Sequence, residues 1–237
     1  MIDKELLINL AKKSGIEITN EQADKFDLYA EMLVETNKSV NLTAITEPRD
    51  IVTKHFLDSI LPLTELDIKE NARVIDVGTG AGFPGIPMKI LRPDLDLVLL
   101  DSLQKRVKVL EDFCEKLGLE KVTFIHGRAE EVARTALRES CDVAVSRAVA
   151  RLNKLCEYCL PFVKRGGIFA ALKGPTANEE TVEAGRAVSI LGGELLPIIS
   201  VNIPDTDLSH TLVRVKKVAN TPDKYPRQSN KISGKPL

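Results

Sequence analysis

The chain has no Trp, three Tyr and seven Phe in 237 residues, so aromatic residues make up only 4%. That scarcity excludes a broad stacking platform for single-stranded nucleic acid, which needs successive exposed rings. No apolar run approaches the roughly 20 residues that span a bilayer. The start, Met1-Ile-Asp-Lys-Glu5, lacks the basic end and apolar centre of a signal peptide. Both absences point to a cytoplasmic address and no membrane partner. Cysteine is scarce too: Cys114, Cys141, Cys156 and Cys159. Cys156 and Cys159 have C-x-x-C spacing, but they fall inside an expected helix and no second pair completes a zinc site. They read as two small core residues on one helical face. His55, His126 and His210 lie too far apart to suggest a metal cluster.

Hydrophobic residues at 43% and charged residues at 28% describe a chain that folds around one substantial core. The net charge of −1 calls for no particular partner, but its distribution is uneven. Residues 214–237 hold seven basic residues and one acid, +6 in all, leaving −7 for the remainder. A basic end of this kind can bind phosphate backbones, through Arg227, Lys231 and Lys235, or can simply be solvated.

Residues 72–85 carry the most information. An apolar strand (Val74, Ile75, Val77) runs into a loop with glycine at 78, 80, 82 and 85. A second apolar run, Leu95–Leu100, ends at Asp101, 21 positions after Gly80. Glycines let a backbone approach a ligand closely, and a carboxylate at the end of the next strand can accept ribose hydroxyls. The spacing matches a dinucleotide fingerprint, but two features oppose a pyrophosphate. Pro84 offers no N–H at the helix start, and Asp76 would repel phosphate. A cationic nucleoside, S-adenosylmethionine, reverses both objections, and Asp76 then orients its amino-acid end directly or through water. The plain alternative is an ordinary glycine turn.

The first seventy residues read as helices: one capped by Asp3 and ended near Gly15, one capped by Asn20, and one starting near Pro48 and carrying Ile51, His55, Leu57 and Ile60. From Arg73 strands and helices alternate. Strands are expected near 73–77, 96–101, 121–125, 141–146 and 167–172, with helices near 84–92, 103–117, 129–137, 150–161 and 178–190. Glu194–Ile203 and Leu208–Val218 then read as an antiparallel pair. The fold expected is α/β: a class I methyltransferase, Rossmann-like sheet with a reversed last strand. The organisation is an N-terminal helical extension (1–70), a methyltransferase domain (71–220) and a basic C-terminal tail (221–237).

Ligands of such sheets gather at the carboxyl ends of the strands. The cofactor candidates are therefore Asp76, Gly78, Thr79, Gly80 and Gly82 after strand one, Asp101 and Ser102 after strand two, and Ala129 and Glu130 after strand three. The fourth strand ends Ser146-Arg147-Ala148. It lacks the Asn/Asp-Pro-Pro-aromatic device of amine methylation, and no Pro-Cys pair supplies a nucleophile for pyrimidine C5. A substrate that is already nucleophilic, such as guanine N7, needs neither and requires chiefly alignment. No side chain is then a catalytic nucleophile, and Arg147 reads as a grip on cofactor or RNA.

These segments resemble the bacterial 16S ribosomal RNA (guanine-N7)-methyltransferase family. The resemblance rests on Asn41–Ile45, His55–Ser59, Asp76–Gly85 with Phe-Pro inside its glycine loop, Val145–Ala148, Leu172–Gly174, Tyr225–Arg227 and Lys235–Leu237. It implies S-adenosylmethionine as cofactor, with contacts at Gly78, Phe83, Ala129, Glu130 and Arg147. It also implies a guanine in a decoding-region loop of 16S ribosomal RNA, in the small ribosomal subunit or as free RNA. His55 and Lys173 join the tail residues as RNA candidates, and the protein is expected to act as a monomer. Two other readings stay open: a small-molecule or protein methyltransferase, and a non-catalytic RNA-binding or assembly factor on the same fold.

Overall fold

In the computed structural model, which describes residues 1–237, the chain opens with helices whose ends follow local chemistry. α1 (Lys4–Lys13) is capped by Asp3, whose carboxylate accepts from the Leu6 N–H at 2.9 Å. α2 (Asn20–Asn37) is capped by Thr19 rather than by Asn20. Thr19 and Gln22 exchange hydrogen bonds of 3.0 and 3.2 Å in a capping box, which satisfies two helix-end donors at once and draws Asn20 into the first turn. Residues 48–65 form one composite helix instead of a regular one. Short α turns, α3 (Pro48–Asp50) and α4 (Asp58–Ile60), flank a π-helix at Ile51–Leu57, and a 3-10 turn follows at Leu61–Glu65. Such widened turns have no plain sequence signature and recur at functional sites.

From Arg73 the expected alternation holds: β1 (Arg73–Val77), α5 (Gly85–Leu91), β2 (Asp96–Asp101), α6 (Gln104–Lys116), β3 (Val122–His126), α7 (Ala129–Val132), β4 (Cys141–Arg147), α8 (Leu152–Cys159), β5 (Val163–Lys173) and α9 (Ala177–Ile190). α7 stops at Val132 rather than running to 137. Beyond it the backbone closes tight turns (Thr135 N to Val132 O, Arg138 N to Thr135 O). β6 (Gly193–Leu195), β7 (Ile199–Asn202), β8 (Ser209–Lys217) and α10 (Ser229–Gly234) complete the chain.

The sheet order is β3-β2-β1-β4-β5-β8-β6, with β7 also on β8. The first five strands pair in parallel and β8 lies antiparallel to β5. β6 and β7 pair with β8 in registers that differ by one residue, so the segment around Pro197 is a bulge in one edge strand. Strand alternation divides the core. One face packs α1, α2, the composite helix, α5 and α6 against Val74, Leu97, Val145 and Leu212. The other packs α8 and α9 against Ile75, Val98, Phe169 and Val213. The N-terminal helices are therefore one wall of the sheet's own core. Phe26 is fully buried there, 4.9 Å from the Phe56 ring. Phe26→Ala is expected to cost about 3–5 kcal/mol in urea denaturation; a loss under 1 kcal/mol would show that this wall is dispensable.

Candidate active site

The loop after β1 is held from below by two carboxylates. Asp76 is fully buried, and its Oδ2 accepts from Thr79 Oγ1 and Gly85 N, each at 2.8 Å. Asp101 accepts from Gly80 N at 2.9 Å and, through its other oxygen, from Leu103 N at 2.9 Å. From above, the Tyr29 hydroxyl of α2 donates to Ala81 O at 2.6 Å. The glycines follow from this crowding. A Cβ at Gly82, where φ is +102°, would lie 2.7 Å from the Tyr29 oxygen, and one at Gly85 would lie 2.9 Å from Asp76 Oδ2.

Asp76 stands behind the loop and lines neither adjoining cavity. Its position makes it a strut for Thr79 and Gly85 rather than a direct contact for a ligand. Its Oδ1 has no partner, and burial raises the carboxyl to about 6 despite the bonds from Thr79 and Gly85. The folded value lies above the ordinary 3.8, so its contribution to stability is fully present below pH 3.8 and is lost as pH rises through about 6. Raising the carboxyl from 3.8 to about 6 corresponds to about 3 kcal/mol. Asp76→Asn is expected to gain on the parent protein between pH 4 and 7 by up to about 3 kcal/mol, read by urea denaturation without ligand. A stability difference that does not vary with pH would remove this account of Asp76.

Three cavities run along the carboxyl edge of the sheet. The first, about 330 Å³, lies over β2, β3 and α8 and includes Asp101, Ser102, Ala129, Glu130, Tyr158 and Ser233 in its lining. The second, about 380 Å³, lies over the glycine loop, with Thr79, Gly80 and Phe83, and shares Gly78, Asp101, Ser102 and Val149 with the first. The third, about 440 Å³, opens toward β5 and β8 and shares His55, Arg147 and Ala148 with the second. Together they form one trough.

Arg147, at the end of β4, divides the second cavity from the third. Its Nη1 donates to Asp58 Oδ2 at 2.7 Å and to Lys54 O at 3.0 Å, on the composite helix. Its Nη2 lies 3.1 Å from His55 Nδ1, and its guanidinium sits 4.8 Å above the Phe83 ring. A guanidinium can only donate, so His55 Nδ1 accepts and Nε2 carries the proton, donating to Thr43 Oγ1 at 2.8 Å. The His55 ring stacks on Phe83 at 4.4 Å. Burial and then Arg147 lower its pKa to about 4, so it is a neutral interior ring.

The residues read as RNA contacts separate into two groups. His55 is buried in this network. Lys173 is tied to Glu180 at 2.7 Å and Ala150 O at 2.8 Å. Arg227 grips the fully buried Glu157 through Nε and Nη2 at 2.9 and 2.7 Å. Only Lys231 and Lys235 of the five stand exposed. The basic density of the tail is partly internal, since Lys217 is buried against Glu139 and Arg214 holds Glu65 O and Pro197 O. Residues 221–237 do not trail into solvent. Arg138 donates to the carbonyls of Thr221 and Tyr225 at 2.6 and 2.9 Å, Arg134 reaches that of Pro226, and Ile232 is fully buried. The segment closes the outer wall of the first cavity, whose lining includes both Ser233 and Tyr158.

The cavity pair suits S-adenosylmethionine. Glu130 Oε1 is a buried acceptor without a partner in the first cavity, placed for a donor such as an adenine amine. Ala129 leaves room beside it, and Asp101 retains acceptor capacity at the junction of the two cavities.

Residues 22–209 match the protein family described as rRNA small subunit methyltransferase G. The chain is 50% identical over 234 residues to the ribosomal RNA small subunit methyltransferase G of Clostridium botulinum (strain Alaska E43 / Type E3), with 98% of each chain covered. The chain belongs to the rRNA small subunit methyltransferase G family. Its similarity to the family's protein from Alkaliphilus oremlandii (strain OhILAs) is 48% over 235 residues, covering 99% of this chain and 98% of that one. Among solved structures it shares its fold with a SAM-dependent methyltransferase from Aquifex aeolicus (TM-score 0.55, 20% identity, 80% of this chain and 98% of that one). It shares it also with a SAM-dependent O-methyltransferase from Thermotoga maritima (TM-score 0.53, 20% identity, 81% and 73%). The resemblance drawn from the motifs and the class I fold are borne out. As a family member the chain is a methyltransferase with S-adenosylmethionine as cofactor.

Four residues of the site carried no separate signal in the sequence: Asp58, Tyr158, His210 and Ser233. Asp58 lies within His55–Ser59, and its carboxylate gains meaning only opposite Arg147. The wall that includes Ser233 joins the tail segment to the first cavity. Arg227→Gln, which strands the buried Glu157 carboxylate, is expected to weaken S-adenosylhomocysteine binding by about tenfold or more. Neutralising Lys231 and Lys235 should leave that affinity within twofold. Titration calorimetry giving equal affinity for Arg227→Gln and the parent protein would separate the tail from the site.

Proposed function

We propose that this chain methylates N7 of a guanine in 16S ribosomal RNA, in the cytoplasm and as a monomer, on small-subunit RNA or the subunit itself. The observation that carries this reading is the junction of the second and third cavities, whose shared residues His55, Arg147 and Ala148 offer no free nucleophile. His55 is hemmed by Arg147 and Thr43. Burial pushes Cys114 and Cys156 up to about 12 and Cys141 to about 11, and all four thiols are interior. A substrate atom with its own lone pair, and no proton to lose, suits such a junction.

Asp101 would hold the ribose, Ala129 and Glu130 the adenine, and the 78–83 loop the amino-acid end of the cofactor. When bound, S-adenosylmethionine would supply an electrophilic methyl group on a sulfonium, with the neutral thioether as leaving group, suited to a base nitrogen that brings its own lone pair. Arg147, neutralised by Asp58, walls the junction without adding uncompensated charge beside the cationic product. No step uses a side-chain nucleophile.

Purified protein incubated with unmodified small-subunit RNA and methyl-labelled cofactor is expected to yield labelled 7-methylguanosine on nucleoside mass spectrometry. Label in another nucleoside, or cofactor and RNA binding with no transfer, would replace this reading. Asp101→Ala should weaken S-adenosylhomocysteine binding about tenfold to a hundredfold with unchanged circular dichroism. A variant lacking all four cysteines, if folded, should retain transfer.

A further inference from the structure

The third cavity has a chemical lining that the methyl-donor site does not use. Its far wall is the start of β8. β8 runs against β5, with Leu172 opposite Leu212 and Lys173 opposite Thr211, so its first residues stand at the same edge where the parallel strands end. His210 therefore faces the trough from the strand two places beyond Arg147. Its Nδ1 meets Oδ1 of Asp58, whose other oxygen is held by Arg147. Asp58 is almost fully buried, whereas His210 is half exposed to the cavity.

This contact places a proton on Nδ1. A carboxylate only accepts, so Nδ1 carries a hydrogen, and the ring in its neutral form presents Nε2 as an acceptor. Asp58 is already balanced by Arg147. Lys173, on the same wall, is balanced by Glu180. The wall thus offers an oriented imidazole acceptor between two neutralised ion pairs, beside the apolar side chains of Ile45, Leu172 and Leu208.

In guanine the N7 lone pair and the N1–H bond point roughly at right angles to each other in the ring plane, and the 2-amino group lies across the base from N7. With N7 turned to the junction with the second cavity, N1–H and the 2-amino group face the remaining lining of the third cavity, to which β8 contributes His210. Guanine presents donors there, N1–H and N2–H, whereas adenine presents an acceptor at N1. We propose that the third cavity takes the flipped target base and that His210, oriented by Asp58, accepts from guanine N1–H. This assignment rests on the guanine-N7 reading above and adds to it the residue that reads the base. Alkylation at N7 makes the base cationic and N1–H a stronger donor, so the bond tightens as the methyl is transferred, while the proton remains on N1. Such a contact favours the transition state over the ground state. It also rejects a base with an acceptor at that position, because Nε2 would then face a lone pair.

The test compares His210→Gln, which keeps an acceptor oxygen, with His210→Phe, which fills the space without one. The measurements are kcat/KM on unmethylated small subunits, the Kd for S-adenosylhomocysteine and the thermal midpoint. His210→Phe should lose about tenfold to a hundredfold in kcat/KM, with cofactor Kd within twofold, and His210→Gln should recover most of the loss. In subunits carrying 2,6-diaminopurine at the target, the parent protein should transfer poorly, and His210→Phe should show a smaller preference for guanine. Transfer by His210→Phe at the parent rate would overturn the assignment. So would equal losses in both variants accompanied by weaker cofactor binding, which would make His210 a prop for Asp58 and Arg147. Absence of 7-methylguanosine from the parent protein itself would instead overturn the underlying reading, whatever the variants do.

Discussion

The ion pair between Asp58 and Arg147 joins the two halves of the molecule on which the site depends. Arg147 ends a central strand of the sheet, and Asp58 follows the π-helix of the N-terminal wall. Leaving either charge buried without the other would cost about 3–5 kcal/mol. The pair therefore fixes where the N-terminal wall meets the strand ends. The extra backbone in the π turn also leaves the Lys54 carbonyl facing the same guanidinium. The position of one helix is thus coupled to the partition between two cavities.

Asp76 and Asp101 end neighbouring strands and do different work because their surroundings differ. Both receive loop N–H groups. Asp76 is sealed behind the loop, and one of its oxygens has no partner. Asp101 lines two cavities and retains room to accept from a ligand. The first sets the loop's shape, and the second is positioned to use it. The loop is anchored on three sides, by two strand ends and by Tyr29 of α2.

The parallel strands, the glycine loop, Asp101 and the reversed last strand were legible from local pattern alone. Apolar runs of strand length and glycines at fixed offsets report their surroundings directly. What escaped depends on partners distant in sequence. Thr19 displaced Asn20 as a cap because Gln22 reciprocates. α7 ended early, and Arg134 and Arg138 beyond it turn to the carbonyls of residues 221–226. A count of charge cannot tell a solvated Lys231 from an Arg227 spent on a buried glutamate. Nor can spacing place His210 beside Asp58, because 152 positions separate them and only the reversal of β8 brings them together.

The chain of hydrogen bonds from Asp58 through Arg147 and His55 to Thr43 has one assignment of protons. The carboxylate can only accept, the guanidinium can only donate, and the imidazole is left with a single tautomer. Water lining the same space would have to rotate as charge moved past it. These groups are already in their final orientation, so the wall of the trough presents a fixed dipole field with little reorganisation left to make.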